Sequence, residues 1–291
     1  MTDAHDLADE RLTAAVLASF DSSRSERFGE IMRSLVRHLH AFVREVELTE
    51  DEWFAGIDFL TRTGHTTTDQ RQEWVLLSDV LGVSMLVDAS NHRRPTGATE
   101  NTILGPFYVP QAPRRARGAN ICLDGKGEPL VVGGIVRDTK GDPIPAALID
   151  VWQTNDDGFY DVQQKGVQPG WNLRGVFTTE ADGSYRFRSV KPRFYPIPDD
   201  GPVGKLLGRL GRHPNRAAHI HFIVNAPGFD PLITHIFPPD CVYLDEDAVF
   251  GVKESLIANF RRMDQPGSGE DTGLQPPYWA VDWGFVLSKA S

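Results

Sequence analysis

The segment Leu130-Val-Val-Gly-Gly-Ile-Val136, the turn sequence Asp138-Thr-Lys-Gly-Asp-Pro143 and the apolar run Ala146–Gln153 mark a change of architecture along the chain. Short apolar runs rich in β-branched residues, separated by Gly, Pro and Asp, are typical of β-strands. We therefore expect Leu130–Val136 and Ala146–Gln153 to pair as a β-hairpin. From about residue 130 onward the hydrophobic pattern has the period of strands.

The strand pattern continues downstream of this segment. Asp182-Gly183 is a turn sequence between two apolar runs, Val176–Thr179 and Tyr185–Phe187, and predicts a second hairpin. Two further strands and, after them, one helix are predicted at Ala218–Val224, Leu232–Phe237 and Ala248–Phe260. Many short strands with Gly/Pro turns favour a β-sandwich or barrel.

The residues from about 10 to 90 have helical periodicity instead. Apolar residues recur every three to four positions between Arg24 and Val46. Thr49 and Glu52 have the form of a capping box that opens a second helix, and Gly64 would end it. A third helix is predicted from about Thr68 to Leu86.

The predicted fold class is therefore α+β. A helical N-terminal or linker domain, residues 1–105, precedes a mixed or antiparallel β-sandwich domain, residues 106–291. A chain of 291 residues is long enough for one large domain or two modest ones.

Charge and composition narrow the class of protein. The net charge of −10 argues against a nucleic-acid partner, because no broad basic surface is available. No apolar run approaches membrane-spanning length and no signal peptide is visible, so neither membrane insertion nor export is expected and a cytoplasmic location is predicted. Cys122 and Cys241 fit no zinc or redox spacing and are expected to be reduced thiols.

The pair His219-Ile-His221 is the strongest sign of chemistry. In a β-strand, residues i and i+2 face the same side and lie roughly 6.6 Å apart, so both imidazoles can converge on one metal ion. Two neutral nitrogens suit many metals, and the remaining ligands decide which one is bound. The alternative is a pair of satisfied core histidines.

Three segments resemble the intradiol ring-cleavage dioxygenases: Trp152–Tyr160, Tyr195–Pro202 and Leu210–His221. The resemblance covers nearly the whole chain, including the helical part and Asn101–Phe107, and makes residues 106–291 the catalytic domain. It implies one non-haem Fe(3+) per subunit, bound by Tyr160, Tyr195, His219 and His221. Tyrosinate is a hard anionic donor that only a strong Lewis acid keeps deprotonated near neutral pH, which suits ferric iron.

The same resemblance assigns further roles. Arg216 matches the family's active-site arginine and would stabilise negative charge that develops on the substrate. Tyr195 would be the ligand that is displaced and takes a substrate proton. His235 stands where the family has a glutamine, and its role is open.

Within the family, Thr234–Phe237 and Asp247–Lys253 look most like the hydroxyquinol 1,2-dioxygenases. This implies ring cleavage of 1,2,4-trihydroxybenzene by O2 to 3-hydroxy-cis,cis-muconate, which becomes maleylacetate; catechol, chlorocatechols and chlorohydroxyquinols are the alternatives. Asp79 would accept a hydrogen bond from the third ring hydroxyl, or else face solvent on its helix. The matching pocket positions are Leu76, Asp79, Ile103, Leu104, Gly105, Pro106, Phe107, Ile197, Pro198, Arg216 and Val249.

Two other classes of function stay open at this point. Gly133–Pro145 with Gly183–Phe187 also resembles transthyretin-like modules, which bind or scaffold without catalysis. A zinc hydrolase built on His219 and His221 is the other, although the chain has no HExxH pattern. Resemblance to the dioxygenases further implies a homodimer joined through the N-terminal helices, with a phospholipid bound there.

Overall fold

The computed structural model describes residues 4–68, 71–265 and 272–290. The chain forms two compact units, Met1–Arg62 and Thr63–Ser291. The functional boundary predicted at residue 105 stays a prediction. Among the helices of the described segments, none combines the length and hydropathy needed to cross a membrane.

The first unit is helical. It contains α1 (Ala4–Ala18), α2 (Glu26–Glu45) and the larger part of α3 (Glu50–Thr66). The capping box predicted at the start of α3 is confirmed. The Glu52 N–H donates to Thr49 Oγ1 at 3.3 Å, and the Thr49 N–H donates to Glu52 Oε2 at 3.0 Å. Gly64 does not end α3, which continues to Thr66.

The single helix predicted from Thr68 to Leu86 is wrong, because the chain breaks there into α4 (Glu73–Val80) and α5 (Val83–Asn91). Gly82 separates them with a φ of 72°, in the left-handed region that interrupts a helix and favours glycine. Both helices belong to the same compact unit as the strands.

The remaining chain is a sandwich of a mixed sheet and an antiparallel sheet, which confirms the predicted fold class. In the mixed sheet, β1 has β4 antiparallel on one side and β10 and β11 parallel to it, with β9 beyond β10. The strand order of the antiparallel sheet is β3-β2-β7-β8, and β5 pairs with β6 apart from both sheets. The strands are β1 (Pro129–Asp138), β2 (Leu148–Trp152), β3 (Arg174–Thr178), β4 (Ser184–Val190), β5 (Tyr195–Pro196), β6 (Asn215–Arg216), β7 (Ile220–Asn225), β8 (Leu232–Ile236), β9 (Arg261–Met263), β10 (Tyr278–Asp282) and β11 (Phe285–Leu287).

Both predicted hairpins are wrong, although their strands exist. β1 and β2 lie in different sheets, and so do β3 and β4. After the turn that follows β1, Ala146 takes a φ of 56° and the chain crosses to the other sheet, where the Ala147 N–H donates to Thr179 Oγ1. A local turn sequence shows that the chain reverses, but it does not show which sheet receives the next strand.

Two helix predictions near the C-terminal half also differ from the structure. The segment Ala248–Phe260 contains only a 3₁₀ turn, Glu254–Leu256, because its apolar residues enter the core from an extended chain. An unpredicted helix, α6 (Pro202–Arg209), starts with proline in its first turn. The buried carboxylate of Glu73 accepts the N–H of Val203 at 3.1 Å and so joins the start of α4 to the start of α6.

The main hydrophobic core lies between the two sheets and contains fully buried side chains from both, among them Val132, Ile149, Phe187, Phe222 and Phe285. A second buried cluster contains Trp152, Tyr160 and Tyr195. Two of the residues proposed from the sequence as metal ligands therefore lie in a separate aromatic cluster beside the core.

Candidate metal centre

Four side chains from three separate segments meet at one point. His219 immediately precedes β7 and His221 is the second residue of that strand, with their Nε2 atoms 3.1 Å apart. Tyr160 follows β2, where the Gln163 side chain accepts its backbone N–H at 2.9 Å. Tyr195 lies on β5 and pairs with Arg216 on β6. The histidines therefore come from the beginning of one strand of the antiparallel sheet, and the phenols come from the segment after β2 and from the short strand β5.

The donor atoms of these side chains are within contact of one another. Tyr160 Oη lies 2.9 Å from both Tyr195 Oη and His221 Nε2, and Tyr195 Oη lies 3.4 Å from His219 Nε2. All four residues are buried. Ligand atoms that share one metal ion at about 2 Å are separated by roughly 3 Å. The residues proposed as ligands are therefore spaced as one coordination sphere requires.

Burial favours the uncharged forms of the two phenols and the two imidazoles. It raises the pKa of Tyr160 well above its ordinary value, with Tyr195 adding to the effect, and it raises the pKa of Tyr195 as well. It lowers the pKa of His219 to about 3 and that of His221 well below its usual range. The cluster consequently consists of neutral phenols and neutral imidazoles, and the phenols will lose their protons only to a strongly charged cation.

The orientation of His219 is fixed by the backbone. Its Nδ1–H donates to the carbonyl oxygen of Ala217 at 2.6 Å, which leaves the lone pair of Nε2 directed at the cluster. A metal-binding histidine is normally held through its second nitrogen in this way. His219 is thus already in the tautomer that a ligand needs.

Aromatic rings hold two of the other side chains. Phe107 stacks on Tyr160 with ring centroids 4.7 Å apart, and Trp152 stacks on His221 at 4.5 Å with an interplanar angle of 14°. Gly105 also lies against His221: its φ is 77°, and a Cβ there would lie 3.1 Å from His221 Cε1. Only glycine satisfies both the backbone conformation and the close approach.

A buried ion pair between Arg174 and Asp161, which the sequence did not predict, lies next to Tyr160. Arg174 Nε lies 2.6 Å from Asp161 Oδ1, and the guanidinium carbon lies 5.9 Å from the centroid of the Tyr160 ring. Asp161 follows Tyr160 directly, whereas Arg174 is on β3. Nothing in the sequence shows that these two charges pair.

Arg216 is held by a second buried ion pair. Its Nε lies 2.9 Å from Asp247 Oδ1, and Asp247 also accepts the N–H groups of Ala217 and Gly251. Burial disfavours the charge of Arg216, but Asp247 and the nearby phenols outweigh it and hold the pKa of Arg216 above its usual value. Nη2 of Arg216 is buried and has no hydrogen-bond partner in the part of the chain that is described. The Nη2 group of Arg216 can therefore donate a hydrogen bond to a bound ligand.

A cavity of about 580 Å³ opens beside the cluster, and both Tyr195 and Arg216 line it. Leu104 does not line it and is 37% exposed. Asp79 is only 7% exposed, so the solvent-facing alternative for this residue is wrong. The other predicted pocket residues in its wall are Leu76, Asp79, Ile103, Gly105, Pro106, Phe107, Ile197, Pro198 and Val249.

Asp79 brings a carboxyl group into this mostly apolar wall. Burial raises its pKa, while Ser84 and the charge of Arg216 oppose the increase. The cavity therefore offers an aromatic ring apolar contacts, one carboxyl group and one guanidinium.

A second carboxyl group near the cluster allows a test of the electrostatics by pH. Tyr108 contacts the ring of Trp152 at 5.0 Å and donates to Asp150 Oδ2 at 3.2 Å; burial raises the pKa of Asp150 to about 6. Between about pH 4 and pH 6 the folded protein keeps a proton that the unfolded chain has lost, so stability falls as the pH rises through this window.

Asp150→Asn removes this penalty. We expect the variant to be more stable than the parent protein at pH 7.5 by about 1–2 kcal/mol, after allowing for partial exposure of the carboxyl group, and equal to it below about pH 4. Denaturant unfolding at several pH values measures both. A difference that does not change with pH would contradict this assignment.

Three of the buried histidines, His219, His221 and His235, place ligand atoms within 4.8 Å of one another. Together with the two phenols and the adjacent cavity, they define a β-sandwich protein with a buried metal-binding centre open to a small aromatic molecule.

Comparison with known proteins identifies the family. Residues 103–288 match the family described as "Dioxygenase", and residues 25–99 match "Catechol dioxygenase N terminus". A hydroxyquinol 1,2-dioxygenase of Rhizobium sp. is 56% identical over 97% of this chain and 96% of its own length. A 6-chlorohydroxyquinol 1,2-dioxygenase of Cupriavidus pinatubonensis is 51% identical over 86% of this chain and 91% of its own.

A solved structure agrees with these matches. The crystal structure of hydroxyquinol 1,2-dioxygenase from Pseudomonas putida has a TM-score of 0.94 and 46% identity, covering 98% of this chain and all of the other. The chain belongs to the intradiol dioxygenase family and is an enzyme. The non-catalytic transthyretin-like module and the zinc hydrolase are therefore wrong.

Proposed function

We propose that this enzyme cleaves hydroxyquinol, 1,2,4-trihydroxybenzene, between its two adjacent hydroxyl-bearing carbons with O2. The product is 3-hydroxy-cis,cis-muconate, which tautomerises to maleylacetate. The observation that carries the proposal is the convergence of two phenols and two imidazoles beside a cavity that contains a buried carboxyl group. Hydroxyquinol and 6-chlorohydroxyquinol dioxygenases at 56% and 51% identity support this choice of substrate.

The metal is proposed to be one ferric ion per subunit, held by Tyr160, Tyr195, His219 and His221. Two phenolate oxygens and two imidazole nitrogens suit trivalent iron better than zinc or magnesium, since two buried phenols stay deprotonated only beside a strongly charged, hard cation. When bound, ferric iron supplies the electron-accepting centre that makes a chelated diol reactive toward O2.

Tyr195 differs from the other proposed ligands in its position. It lines the cavity, whereas Tyr160 is enclosed by Phe107 and the Arg174–Asp161 pair. We assign Tyr195 the role of proton acceptor: its Oη takes a proton from one substrate hydroxyl. Tyr160 stays in place and keeps the metal bound.

Arg216 contacts the substrate through Nη2, the donor group that its ion pair with Asp247 leaves unused. Asp247 binds Nε, Nη2 is buried without a partner among the described residues, and Arg216 is one of the residues that line the cavity. A preorganised cation stabilises negative charge on the ring carbons and oxygens without having to reorient during the reaction. Asp247 therefore positions Arg216 and does not itself touch the substrate.

Asp79 is proposed to select the third hydroxyl group of hydroxyquinol. Asp79→Ala should lower kcat/KM for hydroxyquinol about 10- to 100-fold more than kcat/KM for catechol, because only the former loses a hydrogen bond to this buried carboxyl group. Initial rates with both substrates measure the ratio. Equal losses for the two substrates would show that Asp79 does not recognise this hydroxyl.

The proposed reaction is tested by oxygen uptake with a panel of hydroxyquinol, 6-chlorohydroxyquinol, catechol and a chlorocatechol. We expect one O2 consumed per hydroxyquinol, with maleylacetate as the final product and a higher kcat/KM than for catechol. A higher kcat/KM for catechol would contradict the substrate, and a product from cleavage outside the two hydroxyl-bearing carbons would contradict the reaction.

The helical unit is proposed to join two copies of the chain, with a phospholipid at the junction, and the enzyme is proposed to act in the cytoplasm. Apolar side chains of α2 that are exposed within one chain support the dimer. The supporting residues on α2 are Phe28, Ile31, Leu35, Leu39, Phe42 and Val43.

The functional division of the chain is also proposed: residues 1–105 form the helical N-terminal or linker domain, and residues 106–291 form the catalytic domain.

A further inference from the structure

His235 lies beside His221 on the neighbouring strand of the antiparallel sheet. β7 and β8 pair with His221 opposite His235, so both side chains leave the sheet on the same face. His235 Nε2 lies 2.7 Å from His221 Nδ1, and the two rings are perpendicular. Both are buried. His221 Nε2 meanwhile lies 2.9 Å from Tyr160 Oη, so the two nitrogens of this ring have different neighbours.

This arrangement fixes the protons on both rings. An imidazole that binds a cation through Nε2 carries its proton on Nδ1. In His221 that N–H donates to Nε2 of His235, which must then be an acceptor, and His235 carries its own proton on Nδ1. His235 Nδ1 is buried and has no hydrogen-bond partner among the described residues. The reverse arrangement would place a proton on His221 Nε2, directly toward Tyr160, and would block that nitrogen as a ligand.

We propose that His235 is a positioning residue whose Nε2 accepts the Nδ1–H of His221 and so keeps the Nε2 lone pair of His221 directed at the metal. The inference rests on the proposed iron site. It also gives His235 a different role from a third histidine ligand, because its Nε2 is bonded to the nitrogen of His221 that the phenols do not contact. In that orientation the Nδ1–H of His235 is buried without an acceptor among the described residues, which destabilises the folded protein.

Two polar variants of His235 separate these roles. In His235→Gln the amide oxygen reaches the position of Nε2 and can accept the same hydrogen bond, whereas in His235→Asn it reaches only the position of Nδ1. Thr234→Val is the matched control: Thr234 is buried on the same strand, and its hydroxyl donates to the backbone oxygen of Glu100 at 2.8 Å and lies 3.5 Å from the backbone oxygen of His235, without contact with either His221 nitrogen.

The measurements are iron content, visible absorption and the rate of iron loss to an excess of chelator at pH 7. We expect His235→Asn to lose iron about 10- to 100-fold faster than the parent protein, because removing the outer partner of a metal-binding histidine typically lowers metal affinity by such a factor. His235→Gln and Thr234→Val should stay within about threefold of the parent rate.

The rates of iron loss distinguish a positioning role for His235 from a ligand role. Iron loss from His235→Asn at the parent rate would overturn the positioning role while leaving the proposed function intact. Equal, fast loss from the Gln and Asn variants would make His235 a ligand and would also overturn it. A parent protein that binds no iron and has no tyrosinate absorption would contradict the proposed function, and the positioning role with it.

Discussion

Replacing Tyr160 with phenylalanine is expected to abolish iron binding, colour and turnover together. The change keeps the ring that stacks on Phe107 and removes only the oxygen that lies 2.9 Å from both Tyr195 Oη and His221 Nε2. Loss of a direct ligand should exceed the roughly 100-fold effect of losing an outer partner, so we expect at least that factor in turnover and in iron affinity. Metal analysis, visible absorption and oxygen uptake measure the three effects.

Two variants serve as comparisons for Tyr160→Phe. Tyr185→Phe removes another buried phenol, which belongs to the main core rather than to the cluster of Tyr160 and Tyr195 and donates to the backbone oxygen of Trp283. It should cost about 1 kcal/mol of stability and leave iron and activity unchanged. Tyr195→Phe should keep more iron than Tyr160→Phe while losing turnover. If Tyr160→Phe kept its iron and turned over substrate, the proposed ligand set would be wrong.

Replacing Arg216 with methionine is expected to lower kcat by about 10²- to 10³-fold with iron still bound, because a preorganised charge near the reacting atoms is lost. The same change leaves Asp247 buried without its cation, which costs about 3–5 kcal/mol of stability. The loss of kcat must therefore be distinguished from the loss of stability.

The double variant Arg216→Met with Asp247→Asn makes that separation. Asparagine removes the unpaired charge, and its side-chain oxygen can still accept the N–H of Ala217. We expect the double variant to regain much of the lost stability in thermal unfolding but none of the lost kcat. Recovery of kcat together with stability would show that Arg216 acts only as a structural partner of Asp247.

Residue patterns along the chain predicted the parts of the fold that local chemistry controls. The Thr49–Glu52 capping box and the strands β7 and β8 depend on neighbouring residues, and both are present. The two hairpins failed because the pairing of strands between sheets depends on the whole sandwich. The helix predicted across Gly82 failed because its apolar pattern continues through the break, and only the backbone conformation of the glycine reveals the interruption.

The candidate site was predictable to a similar extent. The same-face spacing of His219 and His221 follows from strand geometry, whereas the convergence of the two phenols depended on resemblance to a family. Asp247 is 31 residues from Arg216 along the chain, and no sequence signal links them. The contact of His235 with His221 could have been found, since symmetric pairing about the loop between β7 and β8 places them opposite each other.

The visible spectrum and metal content of the purified parent protein test whether two tyrosinates and two imidazoles hold ferric iron. We expect close to one iron per chain and a red protein with a broad absorption from charge transfer between tyrosinate and iron, which changes when hydroxyquinol is added without oxygen. A colourless protein with a full complement of iron, or one that is active with zinc alone, would contradict this account.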